Sequence, residues 1–420
     1  MRQLVDAYQR VPRTCTWELT LRCNLRCGHC GSRAGAARPG EMSRETMLRV
    51  TAELAALKCQ RITLSGGEPS LSPHWQAIAS EGTRLGIKMN MITNAVQGGK
   101  SLVSDAKSAG LVNLGVSLDG IGETHDRLRG LPGLYNRVLQ LFDDCEAIGL
   151  PIGVVTTICK SNFRQLDQIH DLIKGRAFVW QLQIGAAMGN LLDRRATEQV
   201  LPEDLLEIVP ELARLIQRRE VNIQVAANVG YYGPYEDVLR TSRKSPLPCW
   251  VGCYAGCRHI GIESDGGVKG CLSIQASSAT EGNLQKDSLQ TIWNRKGAFA
   301  YTREFTLDNL TGFCRSCEHA AICRGGCLSM RTCEGGGENP FCYHRVATLA
   351  ERNKPSKARS YIPLAIAPAA ILSLLGIGCG GTTDSDNPVA LYGVICPDGG
   401  NCSVQDSGSD AQDGGGKTDA

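Results

Sequence analysis

Residues 17–30 read WELTLRCNLRCGHC and place Cys23, Cys27 and Cys30 directly behind a β-branched, apolar run, Thr14–Thr20. A C-x3-C-x2-C loop presents three thiolates to one point. That is enough for three irons of a [4Fe–4S] cube and one short of the four ligands that an electron-transfer cluster uses. The fourth iron is then open to a small molecule, so the pattern points to chemistry at that corner. Zinc is one rival, but it needs a fourth ligand, and His29, adjacent to Cys30, is badly placed to close a tetrahedron. A disulfide set of three leaves an odd thiol.

Outward from this loop, β-rich runs alternate with helical stretches as far as residue 186. The strands are expected at Thr14–Thr20, Arg61–Leu64, Ile87–Thr93, Val112–Leu118, Ile152–Ile158 and Val179–Ile184. Between the first two, Met47, Val50, Leu54 and Leu57 share one face of a helix over Ser43–Leu57. A second helix is expected with Ser72 as its cap, Pro73 at its first position and Gly86 as its stop. Leu134–Ile148 ends at Gly149 in the same way, and Pro202–Arg219 reads as a linking helix. Six strands separated by helices imply parallel βαβ units in an open sheet or a barrel, where ligands gather at the carboxyl ends of the strands. Two short segments stand at such ends: Gly66-Gly67-Glu68-Pro69 after the second strand and Ser117-Leu118-Asp119-Gly120 after the fourth, with Asn94 after the third. Glycines allow close backbone approach and Glu68 offers an acceptor to an ammonium group, although each segment read alone is a turn.

The chain has 420 residues, length for two cores, and its net charge of +3 does not make nucleic acid an expected partner. Cysteine is the outlier, at 20 residues. Met1–Arg13 carries four charged residues and no apolar run, which predicts no signal peptide and therefore thiols in a reducing compartment. Cys15, Cys59, Cys145 and Cys159 are isolated and read as small buried hydrophobes. Most of the others lie in residues 249–342, where Cys314-x2-Cys317-x5-Cys323-x3-Cys327 is the most specific pattern in the chain. Zinc knuckles have similar spacings and are the structural alternative.

The N-terminal loop resembles the radical S-adenosylmethionine (SAM) superfamily, whose signature is C-x3-C-x-aromatic-C; here His29 occupies the aromatic position. The resemblance covers residues 14–186 and implies an α/β fold, a partial (β/α)6 TIM-like barrel. It also implies a SAM-binding [4Fe–4S] cluster on Cys23, Cys27 and Cys30, with SAM contacts at Gly66, Gly67, Glu68, Asn94, Ser117 and Asp119. Reductive cleavage of SAM to a 5′-deoxyadenosyl radical is the activity implied, with the cofactor supplying the hard chemistry. The downstream cysteines resemble the SPASM domain of radical SAM peptide maturases, which holds two auxiliary [4Fe–4S] clusters. Carried over by position, one uses Cys253, Cys257, Cys271 and Cys327, and the other Cys314, Cys317, Cys323 and Cys342. Cys249 competes with Cys253, and Cys333 with Cys342. Leu272 stands where sulfatase-maturating relatives carry an acid, which argues against formylglycine formation.

The expected organisation is a radical SAM core with its linking helix over 1–235, an auxiliary-cluster domain over 236–350, a basic then apolar segment over 351–379, and a disordered Gly/Ser/Asp-rich tail over 380–420. The segment 361–378 followed by Cys379 resembles a displaced lipoprotein signal, read either as a membrane anchor on a cytoplasmic enzyme, as the lead-in to a fused peptide substrate, or as a remnant with no role. The resemblance implies a peptide or protein substrate and a reductant such as flavodoxin or ferredoxin. The rival functions are tetrapyrrole or cofactor biosynthesis, and iron–sulfur electron transfer without SAM turnover.

Overall fold

A computed structural model describes residues 10–241 and 249–353. The segments 361–378 and 380–420, with everything expected of them, lie outside the described residues.

The backbone is organised by one sheet of ten strands: β1 Thr14–Thr20, β2 Arg61–Gly66, β3 Lys88–Thr93, β4 Asn113–Ser117, β5 Ile152–Ile158, β6 Val179–Ile184, β7 Ile223–Val225, β8 His259–Ile262, β9 Gly267–Lys269 and β10 Gly282–Asn283. Their order is β10-β9-β8-β1-β2-β3-β4-β5-β6-β7. Strands β1 to β7 pair in parallel in chain order, β8 joins β1 in parallel, and β8-β9-β10 close the edge antiparallel. The six expected strands fall within two residues of their observed bounds. The short strand β7 and the three strands of the cysteine-rich region were not expected. They run two to four residues each, too short for any alternation to show, and become strands because a neighbour's edge offers its hydrogen bonds.

Helices between the strands cover the sheet. Arg44–Ala56 is capped by Ser43, whose hydroxyl accepts from Thr46 N at 3.3 Å, and buries Met47, Val50, Thr51 and Leu54. Trp75–Arg84 starts later than expected: Ser72 lies in the preceding turn, where its hydroxyl accepts from His74 N at 3.4 Å. Gly149 ends Leu134–Ile148 in the left-handed region that glycine adopts without strain. The linker begins as a 3-10 turn, Pro202–Asp204, and continues as the helix Leu205–Gln217. Because helices lie on the strands, β1 to β6 are buried along nearly their whole length, with Trp17, Leu64, Met91, Val116, Val154 and Trp180 in the core. Polar residues of these strands find one another: Trp180 Nε1 donates to Thr156 Oγ1 at 2.8 Å, and Thr63 and Asn90 bond side chain to side chain. Cys15, Cys59, Cys145 and Cys159 are all buried.

Candidate functional site

The register of β1 against β2 slips between Glu18 and Thr20, and there the chain turns into the cysteine loop. Gly66 and Gly67 make that turn feasible. A Cβ on Gly66 would lie 2.2 Å from the Thr20 carbonyl oxygen, and one on Gly67 2.2 Å from that of Arg22. The close approach is therefore to the chain leading into Cys23, and Gly67 N and Glu68 N donate to the same two carbonyls.

Cys27 is buried and Cys23 and Cys30 are half-buried, amid Leu25, Leu134, Val96 and Leu131. Backbone N–H groups face two of the sulfurs: Leu25 N donates to Cys23 Sγ and Ala34 N to Cys30 Sγ, each at 3.4 Å. Burial pushes the Cys27 thiol up to about 11, against the pull of Arg129, and it raises Cys23 too. Such thiols bind metal as thiolates, releasing their protons to solvent as the metal binds. From behind, Asn190 donates to the Cys27 carbonyl at 2.9 Å through its side chain and to that of Cys30 at 2.8 Å through its backbone.

The strand ends hold this loop. Glu68 is buried and its carboxylate accepts from Ser70 N, Ser70 Oγ, Thr93 Oγ1 and Asn94 N at 2.7–3.2 Å. Burial raises its pKa. Asn94 donates to Asn24 Oδ1 at 2.8 Å and reaches Cys23 Sγ at 3.8 Å. Ser117 is 9% exposed. Asp119, fully buried, meets His29 Nε2 at 3.0 Å and Arg129 at 2.5–2.6 Å, and accepts from Thr157 N at 2.7 Å. Although burial opposes its charge, Arg129 and His29 hold this carboxyl well below the usual carboxylate range. The sequence thus located Glu68 and Asp119 but missed what they touch: both carboxylates are occupied by protein donors. His29 is a brace under the loop, and its Nε2 is committed to Asp119. The signal for it was the one departure from the signature, an imidazole where an aromatic ring is usual.

Downstream, Cys314, Cys317, Cys323 and Cys342 line a single hollow with Tyr231, Tyr232, His319 and His344. Asn339 N donates to Cys314 Sγ at 3.5 Å and His319 N to Cys317 Sγ at 3.4 Å. Cys253, Cys271 and Cys327 form another group. Burial pushes Cys253 up to about 12, and the neighbouring Cys327 and Cys271 thiols add to it. Cys257 has Arg303 and Arg324 near it. Of the competing cysteines, Cys249 neighbours Glu236, Arg240 and Tyr232, and Cys333 neighbours Glu334, Cys327 and Arg195. Arg331 here is buried and Arg303 half-buried, and each has an orphaned nitrogen, Arg331 Nε and Arg303 Nη2. A buried cation without a counter-ion is strongly unfavourable. An anionic, cysteine-bound iron–sulfur group would supply that counter-charge, so the residues present fit it.

The Radical SAM superfamily model matches residues 17–173, and the SPASM model, an iron-sulfur cluster-binding domain, matches residues 253–318. The chain belongs to the radical SAM superfamily. It is an enzyme of that superfamily with a SPASM region, and membership implies SAM and a [4Fe–4S] cluster. It is 27% identical over 361 residues to the AdoMet-dependent heme synthase of Methanosarcina barkeri, covering 81% of this chain and 98% of the relative. It is 25% identical over 365 residues to the mycofactocin maturase MftC of Mycobacterium tuberculosis, covering 84% of this chain and 90% of the relative. In fold it resembles Streptococcus suis SuiB bound to the precursor peptide SuiA, with a TM-score of 0.65 and 17% identity over 80% of this chain and 77% of that one. Among the described residues of this radical SAM enzyme, no helix is long and apolar enough to cross a membrane.

Proposed function

We propose that this radical SAM enzyme modifies a ribosomally made peptide or protein, with its own 380–420 segment the first candidate substrate. Cross-linking, epimerisation and oxidation fit equally. The observation that carries the reading is the sheet's topology. Among the described residues its order ends on β7 and β10, which do not pair, so the sheet is not closed there, a shape compatible with an extended substrate. Likeness to a maturase along 84% of the chain supports it. A second reading, action on a tetrapyrrole, is favoured by the heme synthase, of which the chain covers 98%.

SAM, bound beside a cluster that Cys23, Cys27 and Cys30 would hold, would supply radical chemistry for hydrogen-atom abstraction from substrate once reduced by one electron. The chain's own residues position and exclude. Cys23, Cys27 and Cys30 hold the cluster; Leu25, Val96, Leu131 and Leu134 keep water from it. We assign SAM contacts to the backbone of Gly66, Gly67 and Glu68, to Asn94 and to Ser117, with the carboxylates of Glu68 and Asp119 bracing that surface. Cys253, Cys257, Cys271 and Cys327, and Cys314, Cys317, Cys323 and Cys342, are assigned to two auxiliary clusters that take up an electron or dock the substrate. A cytoplasmic flavodoxin or ferredoxin is the expected reductant.

The test is anaerobic turnover with SAM and reductant. 5′-Deoxyadenosine should form in the parent and be lost in Cys27→Ala, which excludes an electron carrier without turnover. Mass spectrometry of the tail and of co-expressed peptides, set against iron–porphyrin substrates, then separates the two readings; change in the porphyrin alone overturns the first.

A further inference from the structure

Arg331 lies on the short helix Leu328–Cys333, four residues past Cys327, and is 5% exposed. No carboxylate among the described residues pairs with it. Nη1 donates to the Asn309 carbonyl at 3.2 Å, Nε has no partner, and the guanidinium stands 5.9 Å from the centre of the Phe305 ring. On one side Arg331 lines a hollow with Cys253 and Arg324. On the other it packs on Gly325, which lines the hollow of the Cys314 group: a Cβ on Gly325 would come within 3.2 Å of Arg331 Cδ and Nη1. Gly325, with φ +77°, therefore leaves the room that this guanidinium fills. The anionic forms of Cys314 and Cys323, from one cysteine group, and of Cys253 and Cys327, from the other, all act on Arg331 to oppose the effect of its burial.

We propose that Arg331 is a positioning residue shared by the two auxiliary iron–sulfur sites, a single buried charge that sets the reduction potentials of both. The inference rests on the assignment of those sites above. A cube on four thiolates is anionic and gains one more negative charge when reduced. A fixed guanidinium buried between two such groups favours the reduced form of each, and low local dielectric makes the effect large. Burying an arginine here would otherwise be a pure cost, because no carboxylate among the described residues pairs with it.

The experiment uses the full-length, anaerobically loaded enzyme and its Arg331→Met, Arg331→Gln and Arg331→Lys variants. Iron and sulfide are counted first, then each cluster's potential is followed by electron paramagnetic resonance during redox titration. Met and Gln should lower both auxiliary potentials, with about a tenfold fall in the reduced-to-oxidised ratio at fixed potential. Lys should stay near the parent, and the cluster on Cys23, Cys27 and Cys30 should not move. A shift in only one auxiliary cluster, in neither, or equally in Lys and Met overturns the proposal. If Met and Gln fail to retain auxiliary iron while Lys retains it, the charge is what matters and the proposal stands; if Lys fails too, shape is what matters and it falls. Iron for a single cube in the parent would instead overturn the auxiliary-site assignment itself, which the first count reveals before any variant is compared.

Discussion

Replacing Asp119 by Ala tests whether the strand ends brace the cysteine loop or touch the cofactor. The side chain is completely buried and engages Arg129, itself only 12% exposed, together with His29 and Thr157 N. Truncation removes the buried carboxylate that Arg129 and His29 face, which costs about 3–5 kcal/mol, and strands the Thr157 N–H for about 1 kcal/mol more. It also frees His29, two residues from Cys27, so the loop loses its anchor. The expected result is a fall of about 4–6 kcal/mol in unfolding free energy by anaerobic urea titration, with faster chelator-driven loss of iron from the N-terminal site only. Asp119→Asn keeps an acceptor for Thr157 N and should fall between the two. Stability within about 1 kcal/mol of the parent, iron retained and SAM affinity lost would refute the reasoning, because Asp119 would then be a ligand contact with no bracing role.

Gly189→Ala should release the N-terminal cluster while sparing the auxiliary ones. Gly189 has φ +55°, and an added Cβ would lie 2.3 Å from the Cys30 carbonyl oxygen and 2.4 Å from that of Gly31. Iron content should drop by about a third, whereas Gly297→Ala, equally left-handed but with nothing within 4 Å, should keep its iron; equal losses would show that backbone strain, not the loop, is responsible. Acid should weaken the fold through two imidazoles. Burial holds His259 down at about 4, with its bond to Thr14 opposing, and burial with Arg129 does the same to His125. Both lie below their unfolded value near 6.5, so the unfolded chain binds protons that the folded chain refuses. Each contribution is complete above pH ~6.5 and is lost as pH falls towards 4, about 3 kcal/mol per residue at the low end. His259→Gln should flatten the pH dependence of the urea midpoint across that window, and an unchanged slope would show that His259 is not a source of it.

The sequence by itself determined the periodic parts. Six strands, the helix face of Met47, Val50 and Leu54, the stop at Gly149 and the three-thiol loop are local patterns, fixed by side-chain alternation, backbone freedom at glycine and ligand spacing within a few residues. Tertiary structure alone decided whatever depends on partners distant in the chain. The two- to four-residue strands β7 to β10 exist only because a neighbouring edge is there to pair with. The roles of Glu68 and Asp119 were legible as carboxylates at strand ends but not as braces, since their donors Thr93, Asn94 and Thr157 arrive from neighbouring strands and Arg129 from the far end of the helix Glu123–Arg129 that follows Asp119. Arg331 carried no pattern in the sequence at all. An uncompensated buried charge can be recognised only when folding has removed its water and brought two cysteine groups to either side of it.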